Sequence, residues 1–457
     1  MSQIFQFPVE LQDDVSIYNS INPSNKKETY SNGELSCLPV FIMLFYKDRI
    51  KSLSKVFDIE RNFLEVAIQV RISGIRCDLN SYKEVFDILE SNYNETQINF
   101  DKKYQVNCRP TSNLDIGSLI SRPEFQFKEF KLTKSGISCS TDNLKIYKSE
   151  TNDIKSKELI DDILNLKKIF SQYNLSKKYE MFLDTENVMH PTIKQIGEKG
   201  TSRVYSFEPS IQQYPHIIRN TFIPRDGYKY AFFDWKGAEF YIACYFSKCE
   251  LGLKWFKEGI DIHTEISKRL LGKDRITPEE RKVSKVVTFA TIFGSEGCSV
   301  SDALCVSKEE GFKLVESFFN IFPEIKNFRN NIVKFCKDTG YTKTMLGRPR
   351  FLPEIKSSNQ YIVAGAERQA FNTAIQATCA DLFKISAHKV SKYSNEGVSF
   401  KFGVFDSLLL EVPKSMEESY ITSIINDLSD FSSIFKDFKF NYDYSIGESW
   451  GECCDKM

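Results

Sequence analysis

No stretch of this 457-residue sequence approaches the roughly 18 apolar residues that span a bilayer. Residues 1–7 lack the basic start and apolar run of a signal peptide. A membrane partner is therefore not expected, and the chain reads as soluble and cytoplasmic. The 12 cysteines lack C-x-x-C pairing, which excludes a zinc pattern or a disulfide framework and predicts reduced thiols. Net charge is also missing: Lys plus Arg and Asp plus Glu number 61 each, so the overall balance does not point to a polyanionic partner. No internal repeat is found. What is present is 41% hydrophobic content, enough for two to four packed subdomains.

Organisation follows from periodicity. Residues 1–56 have weak periodicity and one apolar run, Leu38 to Tyr46. Phe63, Val66, Ala67 and Val70 fall at helical spacing and end at Ser73-Gly74. Asn80 is a candidate cap for a helix carrying Tyr82, Val85, Phe86 and Leu89. Residues 157–182 predict a long amphipathic helix, Leu159, Ile163, Leu166 and Phe170 inward and lysines outward, including Lys167, Lys168, Lys177 and Lys178. After Pro191 the pattern changes. Tyr228 to Asp234 reads as a strand, Glu239 to Phe246 as a helix, Pro278 to Phe293 as a helix with an acidic start, and Ser399 to Val412 as a hairpin about Phe405-Asp406-Ser407.

Two acids stand out in that order, one ending a strand and one in a hairpin turn. Phosphoryl transfer to a hydroxyl needs hard oxygen ligands for two divalent cations, and carboxylates on adjacent strand ends suit Mg²⁺. Taken singly, an aspartate in such a place more often caps a helix or makes a turn. The surrounding segments carry the argument further. Phe233-Asp234-Trp235-Lys236-Gly237-Ala238-Glu239-Phe240, the run from Arg281 through Lys285 and Phe289 to Phe293-Gly294, and Val404-Phe405-Asp406-Ser407 resemble motifs A, B and C of the family A (Pol I-like) DNA polymerases. Further matches are Thr201-Ser202-Arg203, Pro209-Ser210-Ile211-Gln212, Asp261-Ile262-His263, Ala366-Glu367-Arg368, Asn372 with Gln376, and Gly447-Glu448-Ser449-Trp450. The resemblance covers roughly residues 57–450.

The resemblance implies an α+β, right-hand fold with helical thumb and fingers around a palm containing an antiparallel sheet. It places a lead-in at 1–56, thumb at 57–190, palm at 191–262 and 339–457, and fingers at 263–338. It implies that Asp234, Asp406 and the Trp235 carbonyl hold two Mg²⁺ ions, with Mn²⁺ as a substitute. Arg281 and Lys285 would bind the triphosphate, with Lys285 as a general acid. His263 would contact phosphate, Phe289 and Phe293 would stack on the base, and Glu239 would crowd the ribose 2′ position. Arg203, Gln212, Arg348, Arg350, Arg368, Asn372 and Gln376 would meet primer-template DNA. The implied reaction is dNTP addition to a primer 3′-hydroxyl, by a monomer served by separate helicase, primase or nuclease partners. Asp58-Ile59-Glu60 reads as surface acids, because a complete proofreading nuclease has no room in the lead-in.

Motif C departs from the family, with Phe405 and Ser407 where His and Glu usually stand. Phe293 replaces a usual Tyr, Gly237 a Gln and Tyr241 an Arg. These changes imply a divergent, phage-type branch, acting in a bacterial host cell. Two other readings remain open: a single-subunit RNA polymerase, which Glu239 and Phe293 oppose, and an inactive relative that only binds nucleic acid, which Phe405 and Ser407 favour.

Overall fold

The structure, a computed structural model, describes residues 53–457 apart from residues 135, 178, 198, 199 and 305. The apolar run Leu38 to Tyr46 and Lys178 lie outside these. The centre is a four-stranded antiparallel sheet made of β1 (Tyr228–Trp235), β2 (Ser399–Val404), β3 (Ser407–Pro413) and β4 (Tyr442–Gly447). The spatial order is β2-β3-β1-β4. Alternate residues of a strand face opposite sides. Ala231, Phe233, Leu408, Leu410 and Val412 enter one core, and Tyr230, Phe232, Phe402 and Leu409 the other. With both faces covered, β1 and β3 are largely apolar; the buried Glu411 is held by Arg225, and Asp234 and Ser407 lie at one pair of strand ends. That is where a site can form.

Helices pack on both sides. α1 (Ser54–Ser73) buries Phe63, Val66, Ala67 and Val70 and stops at Gly74, whose φ of 57° lies in the left-handed region. It lies on the helix from Thr378 to Lys389, with Phe63 and Phe383 ring centroids 6.3 Å apart. α1 therefore belongs to the large central core, and the expected thumb boundary at residue 57 cuts through it. α2 (Leu79–Tyr104) is capped by Asp78, not Asn80: the Asp78 carboxylate accepts from the backbone N–H groups of Asn80 and Ser81. α3 (Ile154–Ser176) packs on α2 through Tyr93 and Tyr173, stacked at 5.1 Å. Leu159, Ile163 and Leu166 face inward as the periodicity predicts. Lys167 does not face out; its ammonium donates to the Cys139 carbonyl at 3.0 Å, and burial lowers its pKa.

α4 (Ala238–Ser247) follows β1 after a two-residue loop. α5 (Ile262–Leu271) and α6 (Pro278–Ile292) pack side by side, tied by the Ser284 hydroxyl donating to the His263 carbonyl at 2.6 Å. α6 starts on a capping box formed by Thr277 and Glu280, with Pro278 in the first turn. α7 (Gln360–Asn372) runs into a five-residue π-helical turn, Thr373–Ala377, before the Thr378–Lys389 helix. Among the described residues no helix is long and apolar enough to cross a membrane.

Candidate active site

The hairpin between β2 and β3 turns on two residues, Phe405 and Asp406. The Ser407 hydroxyl donates to the Val404 carbonyl at 2.8 Å and closes the turn. Ser407, where a carboxylate would stand in the family pattern, is thus a buried structural group. β3 pairs with β1 so that Ser407 lies opposite Asp234, and β4 sets Asp443 opposite Asp234 on the other side. The Trp235 amide donates to the Asp406 carbonyl at 3.4 Å, which ties the turn to the end of β1. Trp235 itself is immobilised: its indole N–H reaches the Ser429 hydroxyl at 3.0 Å, and its ring stacks on Phe440 at 4.5 Å.

Asp234 and Asp406 are both half-buried. Burial raises the Asp234 pKa to about 6, reinforced by the charges of Glu239 and Asp443. Burial likewise raises that of Asp406, with Asp234 and Glu239 adding to it. Two carboxylates that hinder each other's ionisation form a site that a cation would stabilise. Hard oxygen donors from two adjacent strands fit Mg²⁺.

Around them stand the other expected residues. Glu239, 5% exposed, accepts from the Arg203 guanidinium at 2.7 Å. That guanidinium also lies over the Phe405 ring at 5.1 Å and the Phe293 ring at 6.0 Å, so Arg203 joins both strand acids' neighbourhoods to α6. On α6, Arg281 makes a two-pronged ion pair with Asp261, at 2.7 and 2.9 Å, while Lys285 is exposed one turn on. Phe289 and Phe293 are 5.7 Å apart, and His263 lies 5.8 Å from Phe289. Burial lowers the His263 pKa to about 4, aided by the Arg281 charge, so its ring is neutral near pH 7. Its buried Nδ1 has no partner among the described residues.

The chain matches the family model described as DNA polymerase family A over residues 50–452. The chain belongs to DNA polymerase family A. Among its curated relatives, DNA polymerase I of Borreliella burgdorferi is 27% identical over 424 residues, 90% of this chain and 46% of that protein. DNA polymerase I of Streptococcus pneumoniae serotype 4 is 28% identical over 380 residues, 79% of this chain and 42% of that protein. The chain thus spans less than half the length of these two relatives. Its fold is similar to that of a solved polymerase domain, "POL domain of Pol1 from M. smegmatis complex with DNA primer-template and dNTP". The TM-score is 0.86 at 21% identity, covering 98% of this chain and 80% of that one. The α+β polymerase fold of this family A chain agrees with the sequence expectation.

Its expected DNA-facing residues divide. Arg203, Gln212 and Phe405 line a cleft of about 600 Å³. The Gln212 amide is already engaged, donating to the Gly403 carbonyl at 2.6 Å and accepting from the Ser206 amide at 2.9 Å. Arg368 is partly exposed, 3.7 Å from Glu296. Asn372 donates to the Phe293 carbonyl at 3.3 Å at the end of α6, and Gln376 sits in the π-helical turn. Arg350 is half-buried, donating to Thr373 and Gln369. Arg348 does not fit the expectation of a phosphate contact. Only 5% exposed, it donates to Asp381 at 2.8 Å and to Glu60, which also takes a bond from Lys384. Glu60 is correspondingly not a surface acid; a buried cation claims it. Sequence reasoning gave no role to Lys236, Asp261 or Asp443, although Lys236 stood inside motif A and Asp261 inside the Asp261-Ile262-His263 match; strand register and helix packing bring them to the site.

Proposed function

We propose that the chain is a template-directed DNA polymerase that adds dNTPs to a primer 3′-hydroxyl by a two-metal mechanism. The observation that carries this reading is the meeting of Asp234 and Asp406 at the ends of adjacent strands. Asp234 and Asp406, with the Trp235 carbonyl, would hold two Mg²⁺ ions, Mn²⁺ serving as a substitute. When bound, the ions would lower the pKa of the primer hydroxyl and neutralise charge on the leaving pyrophosphate. The chain's own groups do the rest. Arg281 and Lys285 bind the triphosphate, and the Lys285 ammonium gives a proton to the leaving oxygen. Neutral His263 offers a hydrogen bond to phosphate without adding a charge. Phe289 and Phe293 cover the base of the incoming nucleotide, so selection rests on the shape of the pair.

The domain roles follow the same reading: residues 57–190, apart from α1 in the central core, grip duplex, 263–338 handle the nucleotide, and 191–262 with 339–457 carry the acids. A cleft of about 770 Å³ lies between Lys145 and Lys168 on the helical layer and Gln213 and Pro215 opposite. It supplies a basic wall suited to backbone phosphates, which every sequence shares. Arg203, Arg350, Arg368, Asn372 and Gln376 are proposed for the primer end and template. The enzyme is proposed to work as a cytoplasmic monomer, with helicase, primase or nuclease functions supplied separately.

Primer extension on a DNA template, with dNTPs and rNTPs in parallel and Mg²⁺ present, tests the reading. Extension with dNTPs is expected; preferential rNTP use, or no extension at all, would overturn it. Sugar choice has its own test. Glu239 is buried and held by Arg203, a rigid wall where a 2′-hydroxyl would sit. Glu239→Ala is expected to raise rNTP incorporation relative to dNTP by about tenfold to a hundredfold, the scale of one lost steric or polar contact. An unchanged ratio of kcat/KM values would remove Glu239 from that role.

A further inference from the structure

The two-residue loop between β1 and α4, Lys236 and Gly237, carries a cation not used so far. The Lys236 ammonium lies 2.6 Å from the Asp443 carboxylate, both side chains being about half exposed. Asp443 is in register with Asp234, so this ion pair sits at the same end of the sheet as the strand acids. Gly237 has φ of 55°, and a Cβ there would lie 3.5 Å from the Ile262 side chain. The loop therefore abuts the first turn of α5, flanked by Asp261 and bearing His263. Arg281 reaches that turn from α6 and is held by Asp261, again as a pair with both side chains nearly half exposed. The loop bearing Lys236 and the turn held by Arg281 are thus in contact, and each cation is paired with an exposed aspartate.

Exposed ion pairs are weakly held and exchange readily. A triphosphate, with several charges and many acceptor oxygens, is a stronger partner for either cation. We propose that Lys236 is a third triphosphate-binding cation of this polymerase, and that the triphosphate displaces Asp443 from it as it displaces Asp261 from Arg281. Asp443 is then a positioning residue that tunes nucleotide affinity by competing for Lys236. This rests on the polymerase reading of the same site.

The test combines steady-state primer extension with equilibrium titration of a fluorescent dNTP, for wild type, Lys236→Ala, Lys236→Arg and Asp443→Asn. Lys236→Ala is expected to raise KM and the nucleotide Kd about tenfold, the loss of one charge-assisted bond to phosphate, with kcat little changed. Lys236→Arg restores both constants. Asp443→Asn shifts them the other way, about twofold to fivefold tighter, as expected when a competing surface ion pair is removed. Unchanged constants in Lys236→Ala, or weaker binding in Asp443→Asn, overturn the inference. Wild type that fails to extend primers would instead sink the polymerase reading. A Lys236→Ala enzyme that extends with wild-type KM and Kd sinks only this one.

Discussion

Asp406→Asn is expected to lower primer extension by about 10³-fold or more, since metal-assisted charge stabilisation supplies several kcal/mol to the barrier. Asp234→Asn should match it. The same substitutions are expected to stabilise the metal-free protein. The sign follows from the raised carboxyl pKa values. A folded-state pKa of about 6 for Asp234, above its ordinary value, means that its favourable contribution is fully present below the unfolded pKa and is lost as pH rises through about 6. At pH 7 Asp234 carries charge that its burial and the neighbouring carboxylates oppose. Removing one charge should return on the order of 2 kcal/mol, read as a higher urea midpoint in chelator. Added Mg²⁺ should stabilise wild type and not the variants. A variant that extends primers as well as wild type would end the ligand assignment, and one less stable than wild type in chelator would end the electrostatic account. Protons and metal compete for these acids, so extension by wild type should fall as pH drops below about 6. More Mg²⁺ should move that fall to lower pH.

The second large effect lies away from the reacting groups. Glu60 on α1, Arg348 in the connection before α7, and Asp381 and Lys384 on the helix beyond the π-helical turn form a buried four-charge network. Lys384 and Asp381 are fully buried, and burial lowers the Lys384 pKa to about 8. Glu60→Ala leaves Arg348 and Lys384 with one carboxylate between them. Breaking one side of a buried pair costs about 3–5 kcal/mol, because the remaining charge is uncompensated. The urea midpoint should drop accordingly, with α1 the first element to lose amide protection in hydrogen exchange. Glu60→Gln should cost less, since it keeps the shape and Lys384, held near pKa 8, can shed its proton. An unchanged midpoint for Glu60→Ala would show that the network does not hold α1 in place. Arg348→Ala should behave like Glu60→Ala and should not act through weaker DNA affinity.

Phe405 separates the two kinds of information. Its residue type, beside Asp406, marked motif C as divergent. Its backbone, with φ of 60°, is one that glycine or asparagine adopts far more readily, and its ring is 68% exposed. Neither fact is visible in sequence, since both depend on how tightly two strands are joined. The Arg203 guanidinium over that ring comes from a segment about two hundred residues earlier.

By itself the sequence determined the elements and the family. Strand, helix and hairpin around Asp234 and Asp406 follow from local periodicity, and local patterns survive folding because they are set by neighbours within a turn or a pleat. Motif spacing identified the candidate ligands, the nucleotide-facing stripe on α6 and the fold class. Tertiary structure alone decided which charges face the site and which do not. Arg348 and Glu60 looked like surface groups and are buried, because two segments nearly three hundred residues apart each bring a charge that would be costly to bury alone. Lys236 and Asp443 looked unremarkable and meet beside Asp234, because strand register, which no local pattern specifies between distant strands, aligns their ends.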